Sequence, residues 1–135
     1  MSELTIEDQY AAELKQSDID HHVPTAGAMT NHILSNLMVE YVKLNQVKWY
    51  VKGPQSVALQ PIYTQLIDLN TQHFSELADL LLDEDQQPSS TTAELVKYAM
   101  LEENGAFKYQ DAATLVAGTV KDFDTENLFV DRAIK

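Results

Sequence analysis

An all-α fold is predicted by three features of the chain. Only four glycines and four prolines interrupt long stretches whose apolar residues recur every three or four positions. No run shows the strict apolar/polar alternation of a half-buried strand. Helix start and stop signals fall between these stretches rather than within them.

Taken in order, Thr5 followed by Asp8 caps a short helix over residues 6–16, and Ser17 to Pro24 reads as a polar connection. Residues 1–24 thus form an arm ahead of a domain covering 25–135. The next helix runs from about Thr25 to Lys52 and stops at Gly53-Pro54, where glycine takes a left-handed cap and proline cannot continue. Its apolar stripe is drawn through Leu34, Leu37, Tyr41, Leu44 and Val51. That stripe makes position 48 an inward site, and position 48 is a lysine. A buried, unpaired ammonium is costly, so Lys48 either snorkels out past Trp49 or meets a carboxylate.

A second long helix is expected from about Leu59 to Asp83, with Pro61 in its first turn and a stripe through Leu59, Ile62, Leu66, Leu69, Phe74, Leu77 and Leu81. The short loop before it makes the two helices an antiparallel pair. Gln86 to Ser90 is a loop. Thr91 with Glu94 forms a capping box opening a short helix over 91–101, and Asn104-Gly105 marks a turn. The last helix starts near Asp111 and carries Ala112, Leu115, Val116, Val120, Phe123, Leu128, Val130 and Ile134. Three long helices and a small one leave part of a bundle core uncovered unless another chain or further residues cover it.

Composition bounds the function. The 135 residues are 44% hydrophobic, enough for one domain with its own core. With no cysteine there is neither a disulfide framework nor a thiolate metal site, and a reducing compartment is allowed. The acidic start lacks a secretory pattern and no stretch reaches the roughly 18 apolar residues of a membrane span, so a cytoplasmic protein is expected. The formal charge of −12 comes from 21 acids against nine scattered bases, which disfavours a simple phosphate-binding surface and hence direct DNA binding. Acids gather in residues 1–24, with Lys15 the only lysine or arginine there, and in Glu76, Asp79, Asp83, Glu84 and Asp85. They serve as solvated surface or attract cations. The glycine-rich nucleotide loops, the G-x-S-x-G nucleophile elbow and the H-E-x-x-H zinc motif are all missing.

Two groups have metal-ligand chemistry. Asp18, Asp20, His21 and His22 place two carboxylates and two imidazoles within five residues, with His32 following on the next helix. His73 and Glu76 lie one helical turn apart. Such groups suit zinc, manganese or iron. Either can equally be exposed surface.

The segment Tyr41-Val-Lys-Leu-Asn-Gln-Val-Lys-Trp-Tyr-Val-Lys-Gly-Pro54 resembles the first-helix signature of the Dps family of mini-ferritins, where a lysine, paired histidines, a Trp and a V-K-G-P exit recur. Ala58-Leu59 is similar to the start of that family's second helix, Ser75-Glu-Leu-Ala-Asp79 to its D-E-x-A-E ligand stretch, and Pro88 to Thr92 to the loop before its short middle helix. The likeness covers essentially all of residues 24–135. It implies a ferritin-like four-helix bundle with a short helix in the middle connection, of which this chain supplies three long helices, assembled through dimers into a hollow dodecamer. It further implies iron as the metal handled, with Fe(II) oxidation between subunits.

The family's oxidation ligands fall on Lys48, Gln60, Ser75 and Asp79, and the other first-helix histidine on Asn45. Only Asp79 binds iron in the usual way. A lysine ammonium repels Fe(II), and Gln and Ser are weak neutral ligands, so the inter-subunit centre is expected to be impaired. Lys48 reaching Asp79 across the dimer would put an ammonium where the metal's charge belongs. Three functions follow: an iron-binding storage and stress-protection shell, a structural or DNA-associated shell without redox chemistry, and a helical interaction module unrelated to iron.

Overall fold

The computed structural model describes residues 5–22 and 25–134, with the side chains of Asp20, His21, His22 and Ala133 outside that description. All described regular structure is helical: α1 Ile6–His22, α2 Ala26–Tyr50, α3 Ser56–Asp83, α4 Thr92–Tyr98, a 3-10 turn Gly105–Tyr109, and α5 Ala112–Ile134. The all-α expectation holds.

Most boundaries arise from local chemistry. Thr25 accepts the Ala28 amide at 3.1 Å and opens α2. Gly53 adopts φ 88 beyond its end, the left-handed conformation that costs glycine least. The Asp111 carboxylate accepts the Thr114 amide at 2.8 Å and starts α5. Thr91 accepts the Glu94 amide at 3.2 Å, and its hydroxyl donates to Glu94 Oε2 at 2.7 Å.

Three expectations fail, the smallest being that α4 ends at Tyr98 rather than near 101, with Ala99 extended at its C-cap. α1 runs on through Ser17 to His22, where a polar connection was expected, because tertiary bonds hold this weakly patterned stretch: Ser17 Oγ donates to Tyr98 Oη at 3.3 Å, while Tyr98 Oη and Lys97 Nζ donate to Asp18 at 3.2 and 3.0 Å. α3 begins at Ser56, which moves Pro61 from the first turn into the second. The amide missing at Pro61 leaves the Val57 carbonyl without its helical donor, a cost moderated because Val57 is exposed and can be hydrated.

Leu44 packs with Tyr63 and Leu115, Ile33 and Leu37 with Phe129, and Leu34 with Leu81. Low numbers on α2 thus meet high numbers on α3 and on α5, so α2 runs antiparallel to both. Buried asparagines on α2 secure the long connection. Asn31 exchanges two bonds with Ser89 at 2.9 and 3.0 Å, and Asn36 Oδ1 accepts the Met100 amide at 2.7 Å. Large apolar side chains stay exposed on α3 (Ile62, Leu69, Leu80) and α5 (Val120, Leu128).

Candidate carboxylate site and the replaced metal positions

Leu34, Leu37, Leu44 and Val51 of the stripe drawn from the sequence are buried, joined by Ile33, Glu40 and Val47, while Tyr41 is exposed and Lys48 half-buried. The inward charge on this helix is therefore Glu40, and the expectation of an inward position 48 is corrected. The drawn stripe and the buried face part at these positions, and spacings of three and four accommodate either until the polar residue is placed.

Glu40 is 1% exposed and sits between an apolar layer of Leu44, Val47, Tyr63 and Leu115 and another of Ile33, Leu37 and Phe129. Facing it on α5 are Thr119, Asp122 and Glu126, on the same inward face as Leu115 and Phe129. Lys43, one turn along from Glu40, donates to both Asp122 oxygens at 2.9 and 2.7 Å. Tyr63 Oη and Thr119 Oγ1 share a bond of 2.7 Å at the layer's edge. No donor reaches either Glu40 oxygen or Glu126 Oε1. Burial, then Asp122 and Glu126 nearby, push the Glu40 carboxyl far above the ordinary carboxylate range; Lys43 opposes this weakly. Glu126 is raised to about 7, chiefly by burial and then by Asp122. A cleft of about 490 Å³, bordered by Lys43, Met100, Phe107, Gly118 and Asp122, opens beside the Lys43–Asp122 pair. The signal for this layer was present in the sequence: Glu40 lies three residues from Leu37 and four from Leu44.

The positions matched to the family's ligands are split along α3. Gln60 donates to the Lys48 carbonyl at 3.5 Å, so those two residues are neighbours. Ser75 and Asp79 lie 15 and 19 residues beyond Gln60, about 22 and 28 Å at 1.5 Å per helical residue, and both are exposed. Within one chain the two halves cannot converge. Glu76 and His73 are exposed one turn apart, with Glu76 Oε1 accepting from Gln72 at 2.9 Å. Asp18 is engaged by Lys97 and Tyr98, and His32 Nδ1 donates to the Tyr98 carbonyl at 2.8 Å, which takes His32 into a packed site against Phe129. Asp20, His21 and His22 end α1, and their side chains lie outside the described residues. Among the described residues no three His, Asp or Glu side chains are disposed to hold a metal ion.

The family described as Ferritin, ferritin-like domain, matches residues 28–134. The chain is 38% identical to the DpsB protein of Lactococcus lactis, covering 96% of this chain and 74% of that one with a TM-score of 0.86. For the DpsA protein of the same organism the figures are 34%, 96%, 76% and 0.87. The "DNA protection during starvation protein" of Brevibacillus brevis is 30% identical over 95 residues, 70% of this chain and 62% of that protein. The match to this relative thus spans just under two thirds of its length.

Proposed function

The chain belongs to the ferritin-like domain family, and within it to the Dps mini-ferritins; from that premise we propose that it is an iron-binding storage and stress-protection protein. It works as a hollow homo-oligomeric shell, a dodecamer built from dimers, in the cytoplasm. Among the described residues no helix is long and apolar enough to cross a membrane.

The usual inter-subunit oxidation centre is impaired. The observation that carries this is the donor set at the matched positions: an ammonium at Lys48, neutral Gln60 and Ser75, and one carboxylate at Asp79. Fe(II) is a borderline cation that takes imidazole nitrogen and carboxylate oxygen, and three of these four groups offer neither. The residues do not fit the family's centre, and no oxidation step is assigned to them. Iron instead collects at acidic surface. Glu76, Asp79 and Asp83 are exposed on α3 and provide carboxylates for cations that enter the shell. His73 beside Glu76 offers a nitrogen to the same ions, zinc and manganese included; of the group Asp18, Asp20, His21 and His22, Asp18 is engaged by Lys97 and Tyr98 and the other three side chains lie outside the described residues.

Aerobic Fe(II) addition to the size-fractionated protein tests the storage reading. Many irons retained per particle above a protein-free blank support it, and an intact particle that retains none refutes it.

The second reading is a structural or DNA-associated shell without redox work, favoured by the same replaced ligands and by relatives named for DNA protection. The charge of −12 argues against direct phosphate contact. Gel retardation at rising salt separates the readings, since binding that survives removal of divalent ions favours the second.

A further inference from the structure

The polar layer at Glu40 has no part in the iron chemistry above, and its chemistry is unbalanced. Three carboxyls, Glu40 on α2 with Asp122 and Glu126 on α5, share a single ammonium, and Lys43 Nζ is committed to Asp122. Among the described residues the Tyr63 hydroxyl from α3 and Thr119 on α5 also face the layer and bond to one another, and Asn36, one turn before Glu40 on α2, is fully buried with its Nδ2 unpaired. Glu40 is almost wholly buried and both of its oxygens lack a donor, although the Asp122 carboxyl lies against it.

An ionised carboxylate left in that state would carry a heavy desolvation cost. Two adjacent carboxylates are both acceptors and repel; they attract only when one holds a proton and donates it to the other. Among the described residues no group of three His, Asp or Glu side chains is disposed to hold a metal ion, whereas a facing pair of carboxyls suffices to hold a proton.

We propose that the Glu40 carboxyl holds a proton and donates it to Asp122, making the α2–α5 contact an acidity sensor built into the bundle core. With the proton present, the pair is a hydrogen bond across the two helices, flanked by the apolar layers around Leu44 and Leu37. When the proton leaves, two facing carboxylates, with Glu126 as a third, oppose one ammonium. Repulsion then acts at the middle of α5, between Thr119 and Glu126. Burial and the neighbouring charges, which raise both Glu40 and Glu126, act in the same direction.

The sign follows from linkage. A carboxyl whose folded affinity for the proton is raised contributes stability that is full below its unfolded pKa and is lost as pH rises towards the folded one. The wild type should therefore lose up to about tenfold in its folding equilibrium constant per pH unit from pH 6 to pH 9, for one proton released on unfolding. Glu40→Gln keeps the shape and supplies a permanent donor to Asp122, so it mimics the protonated state.

The test is urea unfolding of the full chain, wild type and Glu40→Gln, between pH 6 and pH 9. The expected result is a midpoint that falls throughout for the wild type and, for the variant, one that falls more gently below about pH 8 as Glu126 releases its proton and is nearly flat above, so that the variant overtakes the wild type by pH 9. A wild type that is flat over this range, or a variant that keeps the wild-type slope, overturns the proposal. So does wild-type stability at neutral pH that collapses with EDTA and returns with Mg²⁺, because a metal ion would then hold these charges.

Should Glu40→Gln fail to fold, infrared spectroscopy of the wild type alone decides. A protonated carboxyl carbonyl band at neutral pH that fades as the pH is raised is expected. Its absence refutes the proton on Glu40.

Discussion

Replacing Lys43 with methionine removes the one ammonium of the buried polar layer while keeping its aliphatic stem. The Lys43 and Asp122 side chains are 15% and 11% exposed, and the ammonium contacts both carboxylate oxygens at 2.7 and 2.9 Å, so water can replace little of what is lost. Breaking a buried pair on one side typically costs about 3–5 kcal/mol, since the remaining charge stays buried without a partner. The cleft beside the pair admits some water, which places the expected value near the lower end, about 3 kcal/mol at pH 8. That is roughly a 150-fold loss in the folding equilibrium, at 1.36 kcal/mol per factor of ten. The penalty should shrink as pH falls to 5. Glu126, raised to about 7, and Glu40, raised further, then carry protons, and the site has less negative charge for Lys43 to offset. Urea unfolding of both proteins at pH 8 and pH 5 measures this. A cost below about 1 kcal/mol at pH 8, or one that grows on acidification, would refute a buried, charge-dependent contact.

Leu44→Ala opens a cavity at a fully buried side chain among Val47, Val51, Tyr63 and Leu115, and should cost about 3–5 kcal/mol with no dependence on pH by the same assay. Asp85→Gly should stabilise by about 0.5–1 kcal/mol in thermal unfolding, because Asp85 holds φ 57 at the end of α3 and glycine takes that conformation without strain. Asp18→Ala removes an exposed bridge to Lys97 and a bond from Tyr98; global stability should change by less than about 1 kcal/mol, while amide exchange in α1 accelerates.

Elements bounded by their own side chains were legible in the sequence. Thr25, Gly53-Pro54, Thr91 with Glu94, and Asp111 cap or break the backbone next to themselves, and the structure places helix ends there. The extension of α1 through Ser17–His22 was not, since that stretch lacks apolar spacing and is held by bonds to Tyr98 and Lys97, some eighty residues away. The α2 stripe was misread at Tyr41 and Lys48 for a related reason. Apolar spacing identifies a buried face by its hydrophobes, so a carboxylate on that face reads as a gap, and the spacing passes through Tyr41 rather than Glu40. The partner that makes Glu40 tolerable, the α5 face carrying Asp122, comes from a register between helices that local pattern does not encode. The replaced positions Lys48, Gln60, Ser75 and Asp79 were legible one by one, yet their separation along α3 leaves any joint role to a second subunit.

The most direct measurement of the proposed function is the initial rate of aerobic Fe(II) oxidation by the assembled wild type and by a Lys48→His/Gln60→His/Ser75→Asp variant, both against a protein-free blank. A wild-type rate near the blank with a clear gain in the variant is predicted, since imidazole and carboxylate would return to the positions that lost them. A wild type that already oxidises iron far above the blank, and loses that rate on Asp79→Ala, would contradict the impaired centre.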